Sequence, residues 1–104
     1  MSKVFSFLNK YAIVRGGLFF LSQKDAIEFI NICRLENKKL LGIDGFIIEH
    51  DKTIPSMENS VDFTNIYFLT GLKNGTFSSN LYDEAIIFFK SKDEELFFEI
   101  VLEE

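Results

Sequence analysis

Three pairs of adjacent phenylalanines, Phe19-Phe20, Phe88-Phe89 and Phe97-Phe98, constrain this chain more than any other feature. Successive side chains of a strand point to opposite faces, so Phe97 and Phe98 cannot enter the same core if that segment is extended. Either both faces of the sheet are covered, or one ring of the pair is a contact residue. The cover can come from the chain itself, from a second copy in a homodimer, or from a different protein. The pairs belong to a set of thirteen phenylalanines in 104 residues, of which 47% are hydrophobic. That much apolar surface offsets the ordering entropy that keeps polar chains unfolded, so the whole chain is expected to fold. At this length, one core and a single domain over residues 1–104 are expected.

Residue spacing places the elements. Val4, Phe5, Phe7, Leu8 and Tyr11 recur at helical spacing and predict a short helix or an irregular turn. Gly16-Gly17 reads as a turn before an extended Leu18-Phe19-Phe20-Leu21. Ser22 followed by Asp25 has the form of a helix-capping pair, and Ala26, Ile27, Ile30 and Cys33 then share one face opposite Lys24, Glu28 and Asn31. An amphipathic helix over 22–37 follows. The apolar run from Leu40 to His50 predicts a strand; Gly42 and Gly45 flanking Ile43-Asp44 suggest a bulge or a close backbone approach, with Asp44 expected to cap a bulge. Asp51-Lys52 reads as a turn returning through Thr53-Ile54 to Pro55, which must sit at a sheet edge because it has no amide hydrogen.

Residues 56–62 are mostly polar, and residues 70–76 carry strong turn signals, so a long loop-rich connection of the kind that often binds partners is expected there. Asn80 or Ser79 can cap a second helix, with Asp83 and Glu84 in its first turn and Ala85, Ile86, Phe88 and Phe89 on its apolar face. Leu96 to Leu102 predicts a final strand that pairs with the Gly45 to Ile54 hairpin. The expected fold is α+β: a small, largely antiparallel sheet with two or three helices packed on one face.

Charge narrows the function classes. The net charge is −5, and the last fourteen residues hold six of the sixteen acidic side chains against Lys92 alone, which leaves the first ninety balanced. An acidic end with no compensating Lys/Arg cluster argues against nucleic acid as a partner and favours a basic protein, although a solvated acidic tail is the plainer reading. Cys33 is the only cysteine, so no internal disulfide can form, and a reducing compartment is expected. The apolar stretch within residues 1–10 is too short and interrupted for a signal-peptide core, and no run approaches the roughly 20 apolar residues of a membrane span. A cytoplasmic protein without a membrane partner is expected.

Catalytic motifs are absent from the sequence. His50 is the only histidine and reads as an exposed imidazole at a strand end; no serine lies in a GxSxG elbow, and no phosphate-binding or dinucleotide-binding glycine pattern occurs. No cofactor is expected. Cys33, on an apolar helix face with no basic neighbour to lower its pKa, reads as a small buried hydrophobe. Glu58 and Asp62, four residues apart, form an acid-base pair only if both enter one cleft, as a small hydrolase would require; turn formation is the simpler role.

Taken together, Leu41-Gly42-Ile43-Asp44-Gly45-Phe46, Ile54 through Phe63, Tyr82-Asp83-Glu84-Ala85 and Phe97-Phe98-Glu99-Ile100 resemble a family of small bacterial immunity proteins associated with polymorphic toxin and contact-dependent inhibition systems. The resemblance implies a non-enzymatic protein that binds a cognate toxin domain and blocks its active site. Charge complementarity to a basic toxin would speed encounter and select the partner. Glu58, Asp62, Glu95, Glu99 and Glu103 are the candidate contacts. A self-associating structural subunit, built on the phenylalanine-bearing sheet, is the alternative from another class.

Overall fold

A computed structural model describes residues 3–63 and 80–103. The elements run α1 (Lys3–Tyr11), β1 (Ile13–Arg15), β2 (Leu18–Ser22), α2 (Gln23–Leu35), β3 (Leu40–Glu49), β4 (Lys52–Asp62), α3 (Asn80–Lys90) and β5 (Phe97–Leu102). All strand pairs are antiparallel, in the order β1-β2-β5-β3-β4. The α+β expectation is borne out, with the three helices against one face of the sheet.

Local chemistry sets most boundaries. Gly16 and Gly17 both have positive φ, 57° and 81°, the conformation a two-residue hairpin turn needs. The Ser22 hydroxyl accepts from the Asp25 amide at 3.3 Å and caps α2. That helix ends where Asn37 adopts φ 57°, and the Lys38 amide turns back to the Cys33 carbonyl at 2.9 Å. The Glu36 carboxylate then accepts from the amides of Lys3 (2.9 Å) and Val4 (3.4 Å), so the end of α2 caps the start of α1. Gln23, at the other end of α2, donates its side-chain amide to the carbonyls of Phe89 and Lys92 where α3 ends.

Between the helices and the sheet lies one cluster that includes Val4, Phe29, Ile30, Cys33, Phe89 and, from the strands, Leu21, Leu40, Ile43 and Phe98. Phe98 is fully buried at its centre, edge-on to Phe89 at 4.9 Å. Its neighbour Phe97 alternates to the opposite face and is half-buried there. The pair thus divides between the two faces, as strand geometry requires.

The opposite face is not bare at this end. Phe20 is only 2% exposed although it belongs to that face, because the Phe46 ring packs edge-on against it at 4.8 Å. Arg15 donates to the carbonyls of Glu49 (3.4 Å) and His50 (2.9 Å). Register places Leu18 and Arg15 toward the Val101 end of β5, whereas β3 carries Glu49 past the Phe97 end. Contact between them requires the β1–β2 hairpin and the tip of the β3–β4 hairpin to lean toward each other across the helix-free face. The chain itself covers part of that face.

The bend has a visible source. Ile43 pairs with Val61 and Gly45 with Ser56, so residues 57–60 bulge out opposite Asp44 alone. The Ser60 hydroxyl accepts from the Gly45 amide at 3.0 Å and donates to the Ser56 carbonyl at 2.8 Å, while Asn59 donates to the Ser56 hydroxyl at 2.8 Å. A Cβ on Gly45 would overlap the Asn59 carbonyl oxygen and side chain, which is why only glycine fits.

Several expectations are corrected. Residues 56–62 are strand rather than loop: an exposed, bulged edge strand needs no apolar alternation, so its polar composition misleads. Pro55 does lie on the edge strand, paired with Phe46. The hairpin turn is His50-Asp51, since Lys52 already pairs with Glu49. Ser60, not Asp44, caps the bulge. The final strand pairs with β3 as expected but also with β2, which makes it the central strand. The turn signals of residues 70–76 and the candidate cap Ser79 lie outside the described residues.

Phe98→Ala should lower unfolding free energy by about 3–5 kcal/mol in urea titration, and Phe97→Ala by distinctly less, because only Phe98 leaves a fully enclosed cavity. Gly45→Ala should cost about 1–3 kcal/mol by the same measurement, as the bulge must shift to admit the methyl group.

Candidate functional site

The uncovered part of the helix-free face lies beside the bulge. An open cleft of about 470 Å³ is floored by Gly42 and Val101 and walled by Met57, Ser60 and Asp62, with Asp44 at its side. That volume falls within the usual range for binding clefts, about 300–1,000 Å³. Met57 is 85% exposed at its rim, an unbranched apolar side chain standing in solvent.

Across the ladder from Asp44 stands Glu99, its direct register partner. Opposed residues of an antiparallel pair have their Cβ atoms about 4.5–5.5 Å apart, and like charges there are destabilising. The Glu99 carboxyl is held above its ordinary value, first by partial burial and then by the Asp44 charge. Asp62 joins the same face one row away, where it pairs with Gly42, itself paired with Val101.

Two of the five expected contacts, Asp62 and Glu99, therefore share one face, with Asp44 on the strand between them. Glu58 sits exposed on the bulge, where its backbone carbonyl lies 3.4 Å from the Lys92 ammonium. It does not line the cleft, so Glu58 and Asp62 do not converge there as an acid-base pair. Glu95 is exposed in the turn before β5, its amide donating to Asp93 at 3.0 Å. Glu103 lies past the other end of β5, in a 3.2 Å ion pair with Lys39. The length of β5, roughly 20 Å, separates these last two, so the C-terminal acids do not form one patch.

Sequence reasoning assigned Asp44 a capping role and so missed it as a face residue. Its signal was present: an acid inside an otherwise apolar strand run, between two glycines. Met57 carried no such signal, because its exposure follows from the bulge.

Other reactive groups stand apart from the cleft. Cys33 is fully buried, and burial followed by the Glu36 charge pushes its thiol up to about 12, which makes it a poor nucleophile. His50 occupies the exposed hairpin turn. Among the described residues, no three His, Cys, Asp or Glu side chains are grouped to hold a metal ion, and no helix is long and apolar enough to cross a membrane.

No protein-family model matches the chain, and no curated protein is significantly similar to it. The resemblance to immunity proteins thus rests on the quoted segments alone.

Because Glu99 titrates above its ordinary value, the folded state binds more protons than the unfolded chain in that interval. Its ionisation removes stability as pH rises through the interval. Glu99→Gln should raise stability at pH 7 by a few tenths to about 1 kcal/mol, with the gain vanishing well below pH 4, in melts followed across pH. A variant less stable than the parent at pH 7 would show that the carboxylate makes a favourable contact instead.

Proposed function

We propose that this protein is a cytoplasmic immunity protein that binds a basic toxin domain through the helix-free face of its sheet and blocks that domain's active site. The observation that carries the reading is an open cleft with apolar floor and rim, flanked by Asp44 and Asp62 and adjoining Glu99. An interface favours such a mixture: apolar area for burial, and charge of one sign to select and orient a partner of the other. The Asp44–Glu99 opposition, which has no ion pair among the described residues, fits the same role, since a partner cation would relieve the repulsion. The net charge of −5 adds long-range attraction toward a basic chain.

Self-association is a second reading, favoured by Ile47 and Ile54. These cross-strand partners on the hairpin are 42% and 40% exposed.

Both readings meet in one experiment. The tagged protein is recovered from its native host, the bound chain is identified, and that chain is expressed alone to test whether it poisons cells. A stoichiometric toxic partner, neutralised by co-expression, is the expected outcome. Reversing Asp44, Asp62 and Glu99 to lysine should then weaken the complex at least roughly tenfold and flatten its salt dependence, while reversing Glu95 and Glu103 should change little. Equal effects from both sets would remove the helix-free face as the contact. A homodimer with no partner would favour self-association through the hairpin.

A further inference from the structure

β2 and β5 are hydrogen-bonded partners only at Leu21–Phe98 and Ser22–Phe97, and beyond that pair the strands part. The gap between them is a small cleft of about 80 Å³. Leu18, Phe19 and Leu21 line it from β2, Glu99 and Ile100 line it from β5, and Leu8 and Phe29 reach it from the helical layer. Apart from Glu99, no charged residue among the described residues lines this cleft. The space is far below the roughly 300 Å³ at which ordinary small-molecule sites begin, but it holds several times the roughly 10–15 Å³ that one water needs. Its scale is that of a single side chain.

Resting on the reading of this protein as one that binds a partner protein, we propose that this gap, which joins Glu99 on the helix-free face to Phe19 and Ile100 on the helix side, is a socket for one lysine side chain of that partner. The aliphatic stem of lysine matches the walls formed by Leu18, Phe19 and Ile100, and its compact ammonium matches the Glu99 carboxylate. Asp44, opposed to Glu99 across β3 and β5, adds a second negative charge next to that position. Arg15, the cation that alternates to the same face on β1, is engaged with the carbonyls of Glu49 and His50. Arginine fits less well, because its planar guanidinium is wider than a methylene chain. A norleucine-like side chain would fill the walls but leave the carboxylates opposed. The partial burial that raises the Glu99 carboxyl is the same desolvation that strengthens its pairing with an incoming ammonium.

The test uses the full chain and three small probes: the N-acetyl N-methylamides of lysine, arginine and norleucine, titrated by NMR. Lysine should produce saturable shifts at Leu18, Phe19, Glu99 and Ile100. Glu99→Gln should weaken that binding roughly tenfold. Leu18→Trp, which fills the gap and keeps the charges, should abolish the shifts while the remaining spectrum reports an intact fold. Norleucine binding as well as lysine would overturn the proposal, as would arginine binding equally with shifts centred on Met57 and Val101, or no saturable shift with lysine. Failure here with a toxic partner still lost on charge reversal removes only the socket; lysine binding with no toxic partner in the host removes only the immunity reading.

Discussion

Everything in this fold is arranged around the insertion of β5 between β2 and β3. A six-residue strand near the C-terminus becomes the middle of the sheet, so the ladder joins the hairpins on either side through it. Phe98 is what makes the insertion favourable. Its ring is fully buried among Phe89, Phe88 and the strand residues of the same face, where an aromatic side chain contributes several kcal/mol of burial and edge-to-face contact. Alternation then obliges Phe97 to face the other way, and the other face has to accommodate it.

That second face is accommodated by bending. Gly45 and the bulge at 57–60 turn the β3–β4 hairpin, Phe46 covers Phe20, and Arg15 ties the two hairpins together through backbone carbonyls. The same bulge that lets the tip lean over leaves a recess beside it, with Met57 at the rim and Asp44 and Asp62 at its sides. Cover at one end and a cleft at the other thus have a common cause. β4 is also a long edge strand, a natural template for unwanted pairing, and Pro55 with the bulge interrupts its ladder.

Electrostatics distinguish the cleft from an ordinary irregularity. Two carboxylates in direct opposition on a half-shielded sheet are unfavourable. Under the proposed function they are contact groups whose cost in the isolated protein is offset when a partner's cation arrives. The other acids behave differently: Glu103 is already paired with Lys39 at 3.2 Å, and Glu58 and Glu95 are solvated.

The amino-acid sequence by itself determined the local elements, because their signals are local: Ser22 caps, Gly16-Gly17 turns, a helical apolar stripe from Ala26 to Cys33, and strand runs at 40–50 and 96–102. It also required Phe97 and Phe98 to part, since that follows from strand geometry alone. The extent of β4 was hidden, because a solvent-facing bulged strand looks like a loop in composition. Which acids share a face was decided only by tertiary structure. Glu95, Glu99 and Glu103 are neighbours along the chain, yet β5 spreads them along its length, whereas Asp44, Asp62 and Glu99 are distant in sequence and share one face because antiparallel register brings them there. Charge counted along a sequence is one-dimensional, and the potential a partner meets depends on which side chains the sheet sets side by side.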